Sequence, residues 1–226
     1  MTQAGNQSYP DPSSIPTIVP VFPLPGALLL PRGQMPLNIF EPRYVEMIDR
    51  ALAGDRVIGM IQPRPVEPGA PAGGPQPLMN VGCLGRIVEW NEAGDGRYGI
   101  ILVGIARFQV IAEVATDTPY RLCRINAAPF AADFARGVGD AEVDRKSLLS
   151  VFRSYLSANE LDTDWDNIER TDNETLVNAL SMLAPYGTAE KQALLEAPDL
   201  KTRAATLVAL TEVALARAHA APATLQ

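Results

Sequence analysis

The side chains that most often carry out chemistry are few in this sequence, and their spacing does not form a catalytic or metal site. The single histidine, His219, lies near the end of the chain, where a catalytic base would be poorly fixed. The cysteines, Cys83 and Cys123, lie in apolar, strand-like runs and have no further Cys or His at metal-ligand spacing. We therefore expect two buried free thiols, no histidine-dependent triad and no metal site.

Motifs for nucleophilic catalysis and phosphate binding are also missing. The sequence has no Gly-x-x-x-x-Gly-Lys-Ser/Thr loop, and its glycines lack the spacing of a dinucleotide-binding turn. Ser147 follows Lys146, but adjacent helical residues point in different directions, so this pair is not a Ser–Lys dyad. The sequence thus predicts a protein with no catalytic residues and no cofactor; an enzyme of an unrecognised type is the alternative.

One charged motif, Glu41-Pro42-Arg43-Tyr44, lies between an apolar run and an amphipathic helix. Pro42 suits the first helical position, and Glu41 complements the positive end of the helix dipole. Arg43 opposes that dipole, so it should have a partner: Glu41, Glu46 or a carbonyl at a strand end. We interpret the motif as a structural clamp of the helix onto the neighbouring strands, with Tyr44 on the packed face, rather than as a substrate contact.

A second charged motif, Arg107-Phe108, lies in a long apolar run. Alternation along a strand places the two side chains on opposite faces, so at most one points into the core. Phe108 is the better core residue. Arg107 is then free to reach an acid such as Glu41, which predicts an ion pair between the two motifs.

The predicted secondary structure around these motifs changes once along the chain, from strands to helices. Up to residue 130, short apolar runs rich in β-branched residues, Pro and Gly are typical of strands. Asp95-Gly96 indicates a hairpin, and Gly99 and Gly104 indicate bulges or bends within a long strand. Many short strands around one helix favour a closed or half-closed β-barrel. The predicted strands cover residues 17–24, 27–31, 35–40, 56–63, 81–90, 97–114 and 120–127.

From about residue 140 the apolar spacing becomes helical. Thr171 and Glu174 have capping-box spacing, and Asp199 can cap the last helix. The predicted buried faces are Leu148, Phe152 and Tyr155; Leu176, Leu180 and Leu183; and Leu200, Ala204, Leu207 and Thr211. A short helix is predicted after Pro185 and Gly187.

These patterns divide the chain into parts. We predict a disordered leader (1–14), a β-rich domain (15–130), a linker (131–140), a helical bundle (141–220) and a tail (221–226). Residues 63–77 are rich in Pro and Gly and predict a long irregular loop. The alternative for this loop is a mobile lid or a ligand for another protein.

Composition limits the function further. The chain of 226 residues has a net charge of −7, and its three lysines all lie in the helical half. The acidic total charge and the lack of lysine in the barrel disfavour binding to nucleic acid, which needs a positive surface. The N-terminus lacks the charge and apolar pattern of a signal peptide, and no apolar run could span a bilayer. We therefore expect no membrane partner and a cytoplasmic location.

Several stretches in order resemble the N-terminal domain of ATP-dependent Lon proteases. They are VPVFPLPGALLLPRGQMPLNIFEPRYVEMIDRAL, VGCLGRIVEW, DGRYGIILVGIARFQV, PYRLCRI and KQALLEAPDLKTRAATLVAL. Glu-Pro-Arg-Tyr followed by Gly-x-x-Arg-Phe is the most specific part. Departures are small: Pro31-Arg32-Gly33 replaces the usual Pro-Gly, and Gly85 and Cys123 replace alanines. The resemblance covers residues 15 to about 216 and contains neither the ATPase nor the peptidase domain.

The resemblance implies an α+β fold: a PUA-like β pseudo-barrel with one inserted helix, followed by a C-terminal helical bundle. It also implies a non-catalytic module that binds unfolded or exposed polypeptide segments, with the role of an adaptor or chaperone-like partner of an ATP-dependent protease. RNA binding, a common role of PUA-like barrels, is the alternative. We expect polypeptide contacts in a groove between barrel and bundle, at Phe22, Leu24, Leu28, Met35, Leu78 and Met79. The oligomeric state stays open.

Overall fold

The β-strands lie between residues 2 and 126 of the computed structural model, which describes residues 1–65 and 75–220. Apolar runs with β-branched residues form most of the longer strands. In chain order they are β1 (Thr2–Ala4), β2 (Gln7–Tyr9), β3 (Ile18–Pro23), β4 (Gln34–Ile39), β5 (Val57–Pro63), β6 (Leu78–Ala93), β7 (Arg97–Val114) and β8 (Arg121–Asn126).

Strands β3 to β8 form one sheet in the order β4-β7-β6-β5-β3-β8. Strand β8 also pairs with the C-terminal part of β7, so β3, β5, β6, β7 and β8 form a closed circuit, which we call the barrel. All pairings in this sheet are antiparallel except that of β3 with β5. Strand β4 extends the sheet along the N-terminal part of β7.

The hairpin of β6 and β7 is the longest pairing in the barrel. Its turn contains Gly96 at a φ of 78°, which confirms the hairpin predicted from Asp95-Gly96. The register shifts beside Gly104, but Gly99 pairs regularly with Asn91, so the prediction of a bend at Gly99 is wrong. Gly104 is required for a different reason as well, because a Cβ atom there would overlap the carbonyl oxygen of Leu30.

Helix α1 (Pro42–Ala53) connects β4 to β5. Its apolar residues recur at helical spacing and bury one face against the sheet: Tyr44, Met47, Ile48 and Ala51. Pro42 occupies the first helical turn, as expected.

The helices after residue 140 are α2 (Arg145–Ala158), α3 (Trp165–Arg170), α4 (Asn173–Leu183), α5 (Thr188–Glu196) and α6 (Leu200–Ala220), which we call the helical part. Asp199 accepts a hydrogen bond from the Thr202 amide at 2.7 Å, so the predicted cap of α6 is confirmed. The predicted face of α6 is also buried: Leu200, Ala204, Leu207 and Thr211.

Two details of the helical part differ from the prediction. Asp172, not Thr171, caps α4 by accepting from the Thr175 amide, and Glu174 instead pairs with Arg32. The capping box therefore does not form, because tertiary pairing takes the carboxylate. Leu183, predicted on the buried face of its helix, is the last residue of α4 and is 82% exposed. Helix α3 was not predicted.

The barrel and the helical part share one hydrophobic core. A single cluster of buried side chains contains Ile58, Ile87 and Leu102 of the barrel together with Leu148 and Leu207 of the helices. A second cluster, around Phe108, Val21 and Leu84, is confined to the strands and the segments that cover them. All residues of β5 are buried because both of its faces are covered.

Three segments differ from the predicted domain plan. The leader forms a β1–β2 hairpin whose Ala4 and Tyr9 are buried, because Gly5 at a φ of 58° permits a tight turn. Residues 27–31 are not a strand, although Leu28, Leu29 and Leu30 are buried. The linker contains a 3-10 helix (Ala128–Phe134) with a buried acid, Asp133.

Most of the predicted loop at 63–77 and the predicted tail at 221–226 lie outside the described residues. The part of the loop that is described is tied to the barrel, since the Arg64 amide donates to Pro77 O at 2.7 Å. Of the helices in the described part of the chain, none combines the length and the apolar character that a membrane crossing needs.

Candidate functional site

The six residues predicted to contact polypeptide lie mainly in the core. Phe22, Leu28 and Leu78 are buried, and Phe22 packs on Tyr44 with 4.3 Å between the ring centroids. The other three side chains, Leu24, Met35 and Met79, are half-buried. None of the six lines the apolar groove described next.

An open apolar groove lies instead within the helical part. It has a volume of about 450 Å³ and lies between α2, α4 and α6, next to Tyr186. We call it the helical groove, and its principal lining residues are Leu148, Phe152, Tyr155, Leu180, Leu183 and Leu207. The faces that the sequence predicted to be buried thus leave an accessible gap, because the three helices do not close over one another.

The edge of the helical groove is the most exposed apolar surface of this region. Leu183 is 82% exposed and Leu161 is 54% exposed. Beyond Leu161 the surface continues to Trp165, whose ring packs against Phe152 at 6.1 Å and beneath the Arg153 guanidinium at 4.4 Å. Exposed leucines beside an aromatic ring are typical of a surface that binds apolar side chains.

The few polar atoms that line the helical groove are already paired. The Tyr186 hydroxyl lies 2.6 Å from Thr211 Oγ1, and Thr211 Oγ1 donates to Leu207 O at 2.7 Å. Burial raises the pKa of Tyr186, so its phenol stays neutral at physiological pH. Since no charged residue is among those that line it, the groove suits apolar rather than ionic ligands.

The Glu41-Pro42-Arg43-Tyr44 motif lies away from this groove. Arg43 Nε donates to Glu41 Oε2 at 2.9 Å, and its guanidinium lies 4.5 Å from the Tyr44 ring centroid. Glu41, which was one of the three predicted alternatives, is therefore the partner of Arg43. Both charged side chains are about half exposed, so Tyr44 rather than the ion pair fastens the helix to the barrel.

The predicted pair between Arg107 and Glu41 does not form. Arg107 Nε and Nη2 each donate to the Asp133 carboxylate at 2.8 Å, and Nη1 donates to Leu195 O and Ala197 O. Phe108 is a core residue, as predicted, but Arg107 is buried as well. The reason is that the 3-10 helix with Asp133 and the C-terminal end of α5 cover the Arg107 side chain, which the sequence pattern left open to solvent.

Arg107 belongs to a group of buried charges between the barrel and the helical part. Arg32 pairs with Glu174, and its Nη1 donates to Asp133 O at 2.7 Å. Arg203 Nε donates to Leu194 O at 2.9 Å. The roles of Arg32, Arg203 and Asp133 were not predicted from the sequence; an acid between apolar residues in the predicted linker was the available signal for Asp133.

The cysteine thiols are buried and free, as predicted. Burial raises the pKa of Cys83, and it raises the pKa of Cys123 to about 11. Both thiols are therefore protonated at neutral pH and poor nucleophiles. Within residues 1–65 and 75–217, no group of three or more His, Cys, Asp or Glu side chains is arranged to hold a metal ion.

Comparison with known sequences assigns the family. The sequence profile described as the ATP-dependent protease La (LON) substrate-binding domain matches residues 18–212. Lon protease 2 of Myxococcus xanthus is 28% identical over 196 residues, which cover 84% of this chain and 23% of the relative. Lon protease 2 of Sorangium cellulosum is 30% identical over 212 residues, 88% of this chain and 25% of the relative. The chain thus spans about a quarter of the length of these relatives.

Solved structures show the same fold. The Lon N-terminal domain protein from Xanthomonas campestris superposes with a TM-score of 0.58 at 21% identity, covering 85% of this chain and 98% of that one. The N-terminal domain of a Mycobacterium avium complex Lon protease superposes with a TM-score of 0.62 at 19% identity, covering 86% and 98%. With the profile match over most of its length, the chain belongs to the family of ATP-dependent protease La (LON) substrate-binding domains.

Proposed function

We propose that this protein is a non-catalytic module that binds unfolded or exposed segments of polypeptide, and that the helical groove is its binding site. The observation that carries the proposal is an open apolar groove, edged by the exposed Leu183 and Leu161, in a member of a substrate-binding family. Folded proteins bury most of their large apolar side chains, whereas unfolded segments expose them. An apolar groove therefore selects unfolded segments by the hydrophobic effect.

The residues predicted from sequence take a secondary place in this proposal. Leu24, Met35 and Met79 are half-buried and stay candidate contacts at the barrel. Phe22, Leu28 and Leu78 are buried, so we expect them to act through packing alone.

We assign the closed strand circuit to the PUA-like class and α2–α6 to a helical bundle, on the basis of the strand closure and the family membership. RNA binding, which PUA-like barrels often perform, has less support here. The net charge is −7, and the barrel lacks lysine.

An ATP-dependent protease is the partner that this proposal favours. The relatives named Lon protease are about four times as long as the matching segment, so the ATPase and peptidase activities belong to parts of them that this chain does not match. A module that binds polypeptide would then deliver it to such a protease as an adaptor.

The test is binding of a reduced, fluorescently labelled unfolded model protein, followed by fluorescence anisotropy. Wild-type chain should bind in a saturable manner, and Leu183→Ser should weaken the affinity about tenfold, because an apolar contact is lost. Since Leu183 is 82% exposed, the substitution should change the free energy of unfolding by no more than about 0.5 kcal/mol.

Phe40→Ser is the matched control. Phe40 is also a large, exposed apolar residue, at 67%, but it lies outside the helical groove. Its substitution should leave the affinity unchanged. No binding by the wild-type chain would refute the function, and equal losses in the two variants would refute the location.

A further inference from the structure

Three arginine side chains line one cavity between the barrel and the helical part. This cavity, which we call the arginine pocket, has a volume of about 220 Å³ and is lined by Arg32, Arg107 and Arg203. The exposed Lys201, at the N-terminal end of α6, lies at its edge. The arginine pocket is distinct from the helical groove, so a ligand could bind there whether or not the groove binds polypeptide.

The carboxylates in the interior of the arginine pocket are already taken. Both oxygen atoms of Asp133 accept from Arg107. Glu174 Oε1 pairs with Arg32, and Oε2 accepts from the Gly137 amide at 2.8 Å. Two of the three guanidinium groups thus form ion pairs with these carboxylates, and among the described residues no carboxylate forms one with the third, whose charge is left without a salt bridge.

That charge belongs to Arg203. This residue is 4% exposed, and its partners are neutral: Leu194 O at 2.9 Å from Nε and Asn178 Oδ1 at 3.0 Å from Nη1. Burial and the repulsion from Arg107 lower the pKa of Arg203 to about 10. A buried charge without a counter-ion is unfavourable, so the site should attract an anion.

Unused hydrogen-bond donors lie on the same side chains. Among the described residues, the buried side-chain nitrogen atoms without a hydrogen-bond partner are Arg203 Nη2 and Arg32 Nε. Both arginines line the pocket. Nη2 is enclosed by protein atoms, so the Arg203 guanidinium must turn to present it to an occupant.

We propose that the arginine pocket binds one small oxyanion, of the phosphate or carboxylate kind, with Arg203 as its principal ligand. Charge-assisted hydrogen bonds from guanidinium groups to oxyanions are strong. Two exposed acids line the pocket and oppose the binding. Asp199 is engaged as the cap of α6, and the exposed Lys201 adds a fourth base, so the acids and bases of the lining are equal in number. Arg203 is the arginine of the pocket that forms no ion pair, and we therefore assign the anion to it.

The test is isothermal titration calorimetry of the whole chain with sodium phosphate and, separately, with sodium acetate, at constant ionic strength in a chloride background. Saturable binding of phosphate, acetate or both supports the proposal, and the two titrations show which anion geometry the pocket prefers. Arg203→Gln should weaken the binding about tenfold or more. Arg136→Gln, at an exposed arginine outside the pocket, should leave it unchanged.

A folding defect in Arg203→Gln would not end the test. Lys201→Gln removes an exposed positive charge at the pocket edge without touching the core, and it should weaken anion binding by about twofold or more. The absence of saturable binding of either anion to the wild-type chain would overturn the proposal. Unchanged affinity in a folded Arg203→Gln variant would overturn it as well.

Discussion

The charge of Arg107 is balanced inside the protein by Asp133. The pair is bidentate, with both Nε and Nη2 at 2.8 Å from carboxylate oxygens, and both residues are less than 10% exposed. The Asp133 carboxylate also accepts from the Arg107 backbone amide at 3.0 Å. Removing one partner would leave the other charged, buried and unpaired.

We therefore predict that Arg107→Ala costs about 3–5 kcal/mol of the free energy of unfolding. Asp133→Ala should cost a similar amount. The double variant should lose much less than the sum of the two, because neither buried charge is then stranded. Urea unfolding of the two single variants and the double variant measures this coupling.

The exposed pair of Arg43 and Glu41 provides the comparison. It has similar geometry, with 2.9 Å from Nε to the carboxylate, but its side chains are about half exposed. Its coupling energy should be no more than about 1 kcal/mol. Equal coupling in the two pairs would contradict the role that we assign to burial.

The sequence predicted the interaction partner of a side chain correctly only where that partner was close in the sequence. Glu41 and Arg43 are two positions apart, and their pairing followed from the helix dipole. Asp133 lies 26 positions from Arg107, in a segment whose composition indicated a linker. The contact of α5 that buries Arg107 depends on tertiary packing, which periodicity does not encode.

The segment between β3 and β4 crosses β7 at very close range. The Gly104 amide donates to Gly33 O at 2.9 Å, and the Arg32 amide donates to Gly104 O at 2.8 Å. A side chain at residue 104 would overlap the Leu30 carbonyl. Gly33 continues the β4–β7 register opposite Gly104, but the chain turns there, because the Gly33 amide donates to Leu30 O at 3.0 Å. The apolar run at 27–31 therefore does not continue the strand.

Gly104→Ala should therefore destabilise the protein by about 1–3 kcal/mol, because backbone on both sides must move apart. Gly99→Ala is the control on the same strand. A Cβ atom at residue 99 would have only Asn38 Oδ1 near it, at 4.0 Å, so this variant should be within about 0.5 kcal/mol of wild type. Thermal and urea unfolding would measure both, and equal losses would argue against the close approach.

Strands and helices with strong periodicity were predicted closely, including β7 over residues 97–114 and the buried face of α6. The elements that were missed are short or lack a period. The β1–β2 hairpin, with three residues in each strand, and α3, with six residues, depend on contacts with the rest of the molecule. The sequence also predicted the faces of α2 and α4 but not the gap between them, which is the helical groove.

At the scale of the whole molecule, the barrel and the helical part act as one packing unit. They share a hydrophobic cluster, and Arg32 and Arg107 bridge them, through the ion pair of Arg32 with Glu174 and the hydrogen bond of Arg107 to Leu195 O. Separate domains joined by a linker would unfold independently, whereas a shared core makes the loss of either part costly for the other.

The two tryptophans allow this unity to be measured, since Trp90 lies in β6 and Trp165 in α3. The variant Trp165→Phe leaves Trp90 to report on the barrel, and Trp90→Phe leaves Trp165 to report on the helices. We predict that the two variants unfold in urea with coincident fluorescence transitions. Each ring packs beneath one arginine and is partly exposed, so Phe should be tolerated at both positions. Circular dichroism of the wild-type chain provides the reference transition. Two separated midpoints, with the helical signal lost first, would show that the helical part opens while the barrel persists, and the buried arginines would then not couple the two halves.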